Sequence, residues 1–204
     1  MINCEQTQGQ NVLEHGISVK NYFFDLLNHI KTGEKLKYEW RLPKWILSEE
    51  NKNLLINKLP TDDTLNLYTT YHDCGKPFCV KIDSDGKKHF SQHSIYSYNV
   101  FKKVFNDDIA SELVLHDMDI HLLKAEGEKD FSNNPYALTL LLSGLSEVHS
   151  NSNMFGGLDS ISFKIKWKTL VKRGEHVIHL IKTNNIDKSD NSDKSDKSDK
   201  SNYN

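Results

Sequence analysis

The sequence predicts an all-α fold. Three observations carry this: apolar residues at helical spacing in several segments, one continuous apolar run, and turn residues between them. Val12, Ile17, Val19, Phe23, Phe24, Leu26, Leu27 and Ile30 trace one apolar stripe and predict a first helix over 12–30. His15, Val19 and Tyr22 lie three or four residues apart, so His15 falls on its inner side. Residues 42–59 read as one or two short helices ending at Pro60, and 64–71 as another. Asp83-Ser84-Asp85-Gly86 is a turn. A helix over 93–104 presents Ile95, Tyr98, Val100, Phe101 and Val104 inward, and 109–116 follows as the next helix.

The run over 135–148, containing Tyr-Ala-Leu-Thr-Leu-Leu-Leu, predicts the central buried helix. Gly156-Gly157 breaks the chain, and Asp159 or Ser160 caps a last helix over 162–172 that Gly174 ends. Two patterns coexist in that segment. Phe163, Ile165 and Trp167 alternate with lysines as in a strand, whereas Phe163, Trp167, Leu170 and Val171 form a helical stripe that runs further. The helix is preferred.

The chain divides into one domain over 1–182 and a Ser/Asp/Lys/Asn-rich tail over 183–204. Almost without apolar residues, the tail cannot offset its ordering entropy and is expected to be disordered. The 26 basic and 28 acidic residues balance, so any contact with nucleic acid must be local. Cys4, Cys74 and Cys79 are too few for a disulfide framework or a complete thiolate zinc site, and they suit a cytoplasmic setting. No apolar run approaches the ~18 residues of a membrane span, and the polar N-terminus lacks the apolar core of a secretory signal.

The chemistry concentrates around Tyr71-His72-Asp73-Cys74-Gly75-Lys76-Pro77. His15 lies upstream, His93 follows, and a second His-Asp pair comes at His116-Asp117. Imidazoles and carboxylates are ligands for divalent transition metals at neutral pH. A lone His-Asp is a weak signal; flanked by these histidines and followed by Gly-Lys-Pro it is stronger.

On these residues the chain resembles the HD-domain metal-dependent phosphohydrolases. The stretch from His72 to His93 looks most like the HD modules of tRNA nucleotidyltransferases and of RNA end-repair polynucleotide kinases. The resemblance implies an HD-domain helical bundle with a buried metal site. It implies His15, His72 and Asp73 as ligands, His93 and His116 as ligands of a second ion, and a late acidic ligand. Where the family usually carries an aspartate, the matching helix offers Glu147, with Asp117 and Asp119 as rivals. One or two divalent ions (manganese, iron, cobalt or nickel) would activate water against a phosphate ester of a nucleotide or RNA end, such as a 2′,3′-cyclic phosphate or a terminal phosphomonoester. Asp73 and Lys76 take the catalytic roles, Lys76 contacting phosphate.

For substrate binding, the backbone at Gly156-Gly157 with Ser160 is a weak anion-site candidate. Lys164, Lys166, Lys168, Lys172 and Arg173 form the only dense basic cluster, in which Lys164, Lys166 and Lys168 are candidates for a phosphate backbone; a solvated helix face suits it equally. His29, His89, His121, His176 and His179 have no motif support and read as surface or packing residues; His149 is intermediate. Asp117 is also placed as a possible orienting partner of His116. Two alternatives stand beside the leading reading: a small-nucleotide phosphatase or cyclic-nucleotide phosphodiesterase, and a degenerate HD protein that binds nucleic acid or a partner.

Overall fold

A computed structural model describes residues 1–7 and 9–198, with side chains through 185. It is all-α apart from two small antiparallel hairpins. The first hairpin, β1 (Glu5–Thr7) with β2 (Gln10–Asn11), leads directly into α1 (Val12–Thr32). Asn11 and Glu14 form a reciprocal capping box at 2.9 Å each way, which fixes where α1 begins. Gly33, at φ 75°, ends the helix in the left-handed conformation that glycine adopts without strain.

A short 3-10 turn at Lys44–Ile46 precedes α2 (Glu49–Lys58) and α3 (Asp62–Tyr71), the latter capped by Thr61. After the His-Asp turn come α4 (Lys76–Cys79) and a hairpin of β3 (Lys81–Ile82) and β4 (Lys88–His89) around the expected turn. Then follow α5 (His93–Val104), α6 (Asp108–His116), α7 (Asp119–Leu122) and α8 (Glu128–Ser132). The chain closes with α9 (Ala137–Ser150) and α10 (Ile161–Ser198).

Helix α9 is the central element, buried on nearly every face, as its apolar run predicts. It packs on α1 and α10, while α1 packs on α3, and α3 on α6. No described helix is long and apolar enough to cross a membrane.

Two sequence expectations need correction. Ile95 and Val104 of α5 are exposed, because the inner face of this helix is set by Ser97 and Phe101, four residues apart and fully buried. The preferred helix after Ser160 is the one observed, with Phe163, Leu170, Val177, Ile178 and Ile181 buried in succession. Gly174 does not stop that helix. A Cβ there would stand 2.7 Å from Trp45 Cζ2 and 3.0 Å from Leu141 Cδ1, so glycine admits a close neighbour. The α10 backbone then continues as helix past residue 183; side chains from 186 and residues 199–204 lie outside the described part, and with them most of the predicted tail.

The stretch 34–43 has no helix or strand of its own. Side chains hold it instead. The Asp25 carboxylate accepts from the backbone N–H groups of Lys37 and Tyr38 and from Trp40 Nε1, at 2.9, 3.2 and 3.0 Å. Arg41 N–H donates to His149 Nε2 at 3.1 Å, and Trp167 Nε1 donates to the Arg41 carbonyl at 2.8 Å. His149 also donates from Nδ1 to Leu145 O at 2.7 Å and lies against Trp40 and Phe163. It is a core histidine with both ring nitrogens used.

Candidate metal centre

Two close approaches build the site. Gly16 of α1 lies on the last turn of α3: a Cβ there would meet the Thr70 carbonyl oxygen at 2.0 Å. This contact brings His15 beside His72, ring centroids 5.2 Å apart. Gly75 lies on α5 in the same way, its missing Cβ 2.1 Å from Ser97 N, while Gly75 N–H donates to Ser97 Oγ at 2.9 Å. That approach carries the first residue of α5, His93, to Asp73.

Asp73 is the hub. Its Oδ2 lies 3.5 Å from His15 Nε2, 3.2 Å from His72 Nε2 and 2.6 Å from Lys76 Nζ. Its Oδ1 lies 3.4 Å from His93 Nε2. Glu147 reaches in from α9, its Oε1 3.8 Å from His15 Nε2. His15, His72 and Glu147 each offer a ligand atom within 4.8 Å of the others, a spacing one ion can bridge.

The donor set fits a metal. His15, His72, Asp73 and Lys76 are all buried. Both ring nitrogens of His15, Nε2 of His72 and Oδ1 of Asp73 lack a hydrogen-bond partner among the described residues. Buried polar atoms are nearly always satisfied, so the three orphans in this cluster, His15 Nε2, His72 Nε2 and Asp73 Oδ1, need an explanation. The ring orientations agree. His72 Nδ1 donates to Thr69 O and His93 Nδ1 to Phe90 O, each at 2.9 Å, leaving each Nε2 turned to Asp73.

The electrostatics follow from this crowding. Burial, with His72 alongside, lowers His15 to about 4. Burial opposes charge on His72 too, but Asp73, Asp117 and Glu147 together lift it to about 10. Burial would raise the Asp73 carboxyl; Lys76 first, then His72 and His15, hold it well below the usual range. Glu147 is likewise held low against burial by His121, His15 and His72.

Sequence reasoning overlooked His121, which donates from Nε2 to Glu147 Oε2 at 2.8 Å and so fixes the carboxylate that faces His15. No motif marks it; the signal available was its place on the short turn after the second His-Asp pair. The structure does not bring His116 to Asp73. Helix α6 turns it outward, where Nδ1 pairs with Asp119 Oδ2 at 2.7 Å and Nε2 lies 3.9 Å from Glu112. The next residue, Asp117, points inward instead: Tyr68 Oη donates to it at 2.6 Å. It therefore does not orient His116, and Asp119 is occupied on the outer face.

The remaining candidates separate. Ser160 Oγ accepts from Phe163 N–H at 3.1 Å and caps α10, while the Gly156 and Gly157 N–H groups bond Asn153 O and Ser152 O. These donors serve the chain itself. Lys164 pairs with Asp159 at 3.4 Å, and Lys168 is exposed. Lys166 lines a cavity with Glu147 and His121. Cys74 and Cys79 are buried: burial, with Asp73 adding to it, pushes Cys74 up to about 12, and burial raises Cys79 despite Lys76 nearby, which disfavours a thiolate ligand.

This chain matches no family model, no curated protein and no solved structure.

Proposed function

We propose that this chain is an HD-type metal-dependent phosphohydrolase acting on a phosphate ester of a nucleotide or an RNA end. The observation that carries the proposal is the set of buried, unpartnered donor atoms of His15, His72 and Asp73, closed by Glu147. His15, His72, Asp73 and Glu147 would hold one ion; His93 with Asp73 Oδ1 offers one side of a second position. Manganese, iron, cobalt and nickel all suit such nitrogen and oxygen ligands. A bound ion supplies an acidified water and neutralises charge on the phosphoryl oxygens.

The chain's own residues do the rest. Asp73 presents one oxygen to the His15–His72 side and the other to His93, so it can organise both positions. Lys76, buried on α4, brings a cation to the same carboxylate and supplies charge to the phosphoryl group as negative charge grows there. His121 holds Glu147 in place from behind. The unpaired cysteines accord with a cytoplasmic setting.

One observation favours a competing reading. Lys76 at 2.6 Å from Asp73 already balances that carboxylate, as in a degenerate site that needs no ion. Elemental analysis of the wild type beside Asp73→Asn separates the two. The hydrolase reading expects one or two transition-metal ions per chain, lost in the variant together with hydrolysis of phosphate esters. A protein that takes up no metal after reconstitution with manganese or iron would establish the degenerate reading.

A further inference from the structure

A cavity of about 380 Å³ lies between α9, α10 and the α7 region. Glu147 and His121 line it, with Phe155, Ile165, Lys166 and Arg173 among the other walls. Glu147 is the link to the candidate metal centre. Its Oε1 faces His15 and its Oε2 accepts from His121, so the cavity meets the centre at a shared carboxylate.

The walls divide chemically. Phe155 and Ile165 are apolar, and the Lys166 ammonium stands 5.2 Å above the Phe155 ring. Among the described residues no carboxylate lies within ion-pairing distance of Lys166, so its hydrogen bonds are open to a ligand. Arg173 is already engaged: its Nη1 donates to the carbonyls of Ile120 and His121 at 3.0 and 3.2 Å. It shapes the wall.

We propose that this cavity holds the leaving group of the ester, and that the leaving group is a flat ring system of nucleoside size with an acceptor for Lys166. The inference rests on the phosphohydrolase reading and deepens it by assigning Phe155 and Lys166 to the nucleoside side of the ester. The volume falls within the roughly 300–1,000 Å³ of small-molecule sites. An aromatic face with a cation beside it suits a ring bearing heteroatoms. Ile165, Lys166 and Thr169 are exposed at its mouth, so a nucleoside can enter from solvent. In the reaction the P–O bond to water forms as the P–O bond to the leaving alcohol breaks. The alcohol departs with one proton from the water, and inorganic phosphate remains.

The test fills the cavity. Thr169 is exposed and lines it, so Thr169→Trp places an indole there without entering the core. The manganese-loaded full chain is assayed on adenosine 5′-monophosphate and on glycerol 2-phosphate. The expected result is unchanged metal content and a ratio of kcat/KM between the two esters that falls at least tenfold. An unchanged ratio overturns the pocket and leaves the hydrolase standing. If neither ester is hydrolysed by the wild type, the hydrolase reading fails on its own. Isothermal titration with adenosine 5′-monophosphate then decides the pocket: binding weakened at least tenfold in Thr169→Trp sustains it, and no binding to wild type overturns it.

Discussion

Gly16→Ala tests how the site is assembled. In an ordinary helix interior this change stabilises by about 1 kcal/mol, because alanine loses less backbone entropy than glycine. Here the new Cβ would stand 2.0 Å from the Thr70 carbonyl oxygen and 2.9 Å from the carbonyl carbon. Both are backbone atoms, so no side chain can swing aside. α1 must separate from α3 by at least about 1 Å, a form of overpacking that costs about 1–3 kcal/mol and offsets the helix gain. The net loss, up to about 2 kcal/mol, lowers Tm by roughly 4–8 °C in a chain of this size. The same separation draws His15 away from Asp73 and His72, so metal affinity should fall at least tenfold. Thermal unfolding of the metal-free protein and a metal titration measure the two effects separately. A variant as stable as wild type, with unchanged affinity, would refute the close-approach argument.

Other consequences can be measured alongside. His121→Gln removes the imidazole that fixes Glu147 and should weaken metal binding about 10–100-fold while the fold survives; equal affinity would make His121 a bystander. Tyr68→Phe leaves the buried Asp117 carboxylate without its donor and should cost about 1–3 kcal/mol in urea unfolding, against near-neutrality if water replaces the hydroxyl. His149 is lowered from 6.5 to about 4 by burial, so as pH falls the unfolded chain takes up its proton first. Its contribution is fully present above about pH 6.5 and is lost progressively down to pH 4, about 3 kcal/mol in all. Unfolding free energies of wild type and His149→Phe across that window should differ in slope; parallel curves would remove His149 from the account.

The helices and half of the site were legible in the sequence for a physical reason. Periodic apolar residues report a buried face directly, and α1, α5 and α9 were located from them. The motif pointed to His15, His72 and Asp73, and Glu147 stood as a departure from it beside Asp117 and Asp119; α1, the turn after α3 and α9 bring the four together. What the sequence did not show depends on the angle at which residues leave a helix end. His116 and Asp117 are neighbours, yet α6 sends one outward to Asp119 and the other inward to Tyr68. His121 became relevant only when α7 set it beside Glu147. Gly174 looked like a helix stop because glycine commonly is one; only the position of Trp45 shows that it serves packing.

The segment that links α1 to the 3-10 turn has a bearing on the order of folding. Asp25, within its own neighbourhood of the chain, can gather Lys37, Tyr38 and Trp40 early. Its other anchors, His149 and Trp167, arrive 108 and 126 residues later than Arg41. Such closures form only after the long intervening loop has been drawn in, which makes them late events. A nascent chain still lacking α9 and α10 would carry this strap half fastened, with Arg41 unmoored and Trp40 without its ring contact to His149. Helices α9 and α10 therefore do more than complete the packing: they lock a segment synthesised more than a hundred residues before them.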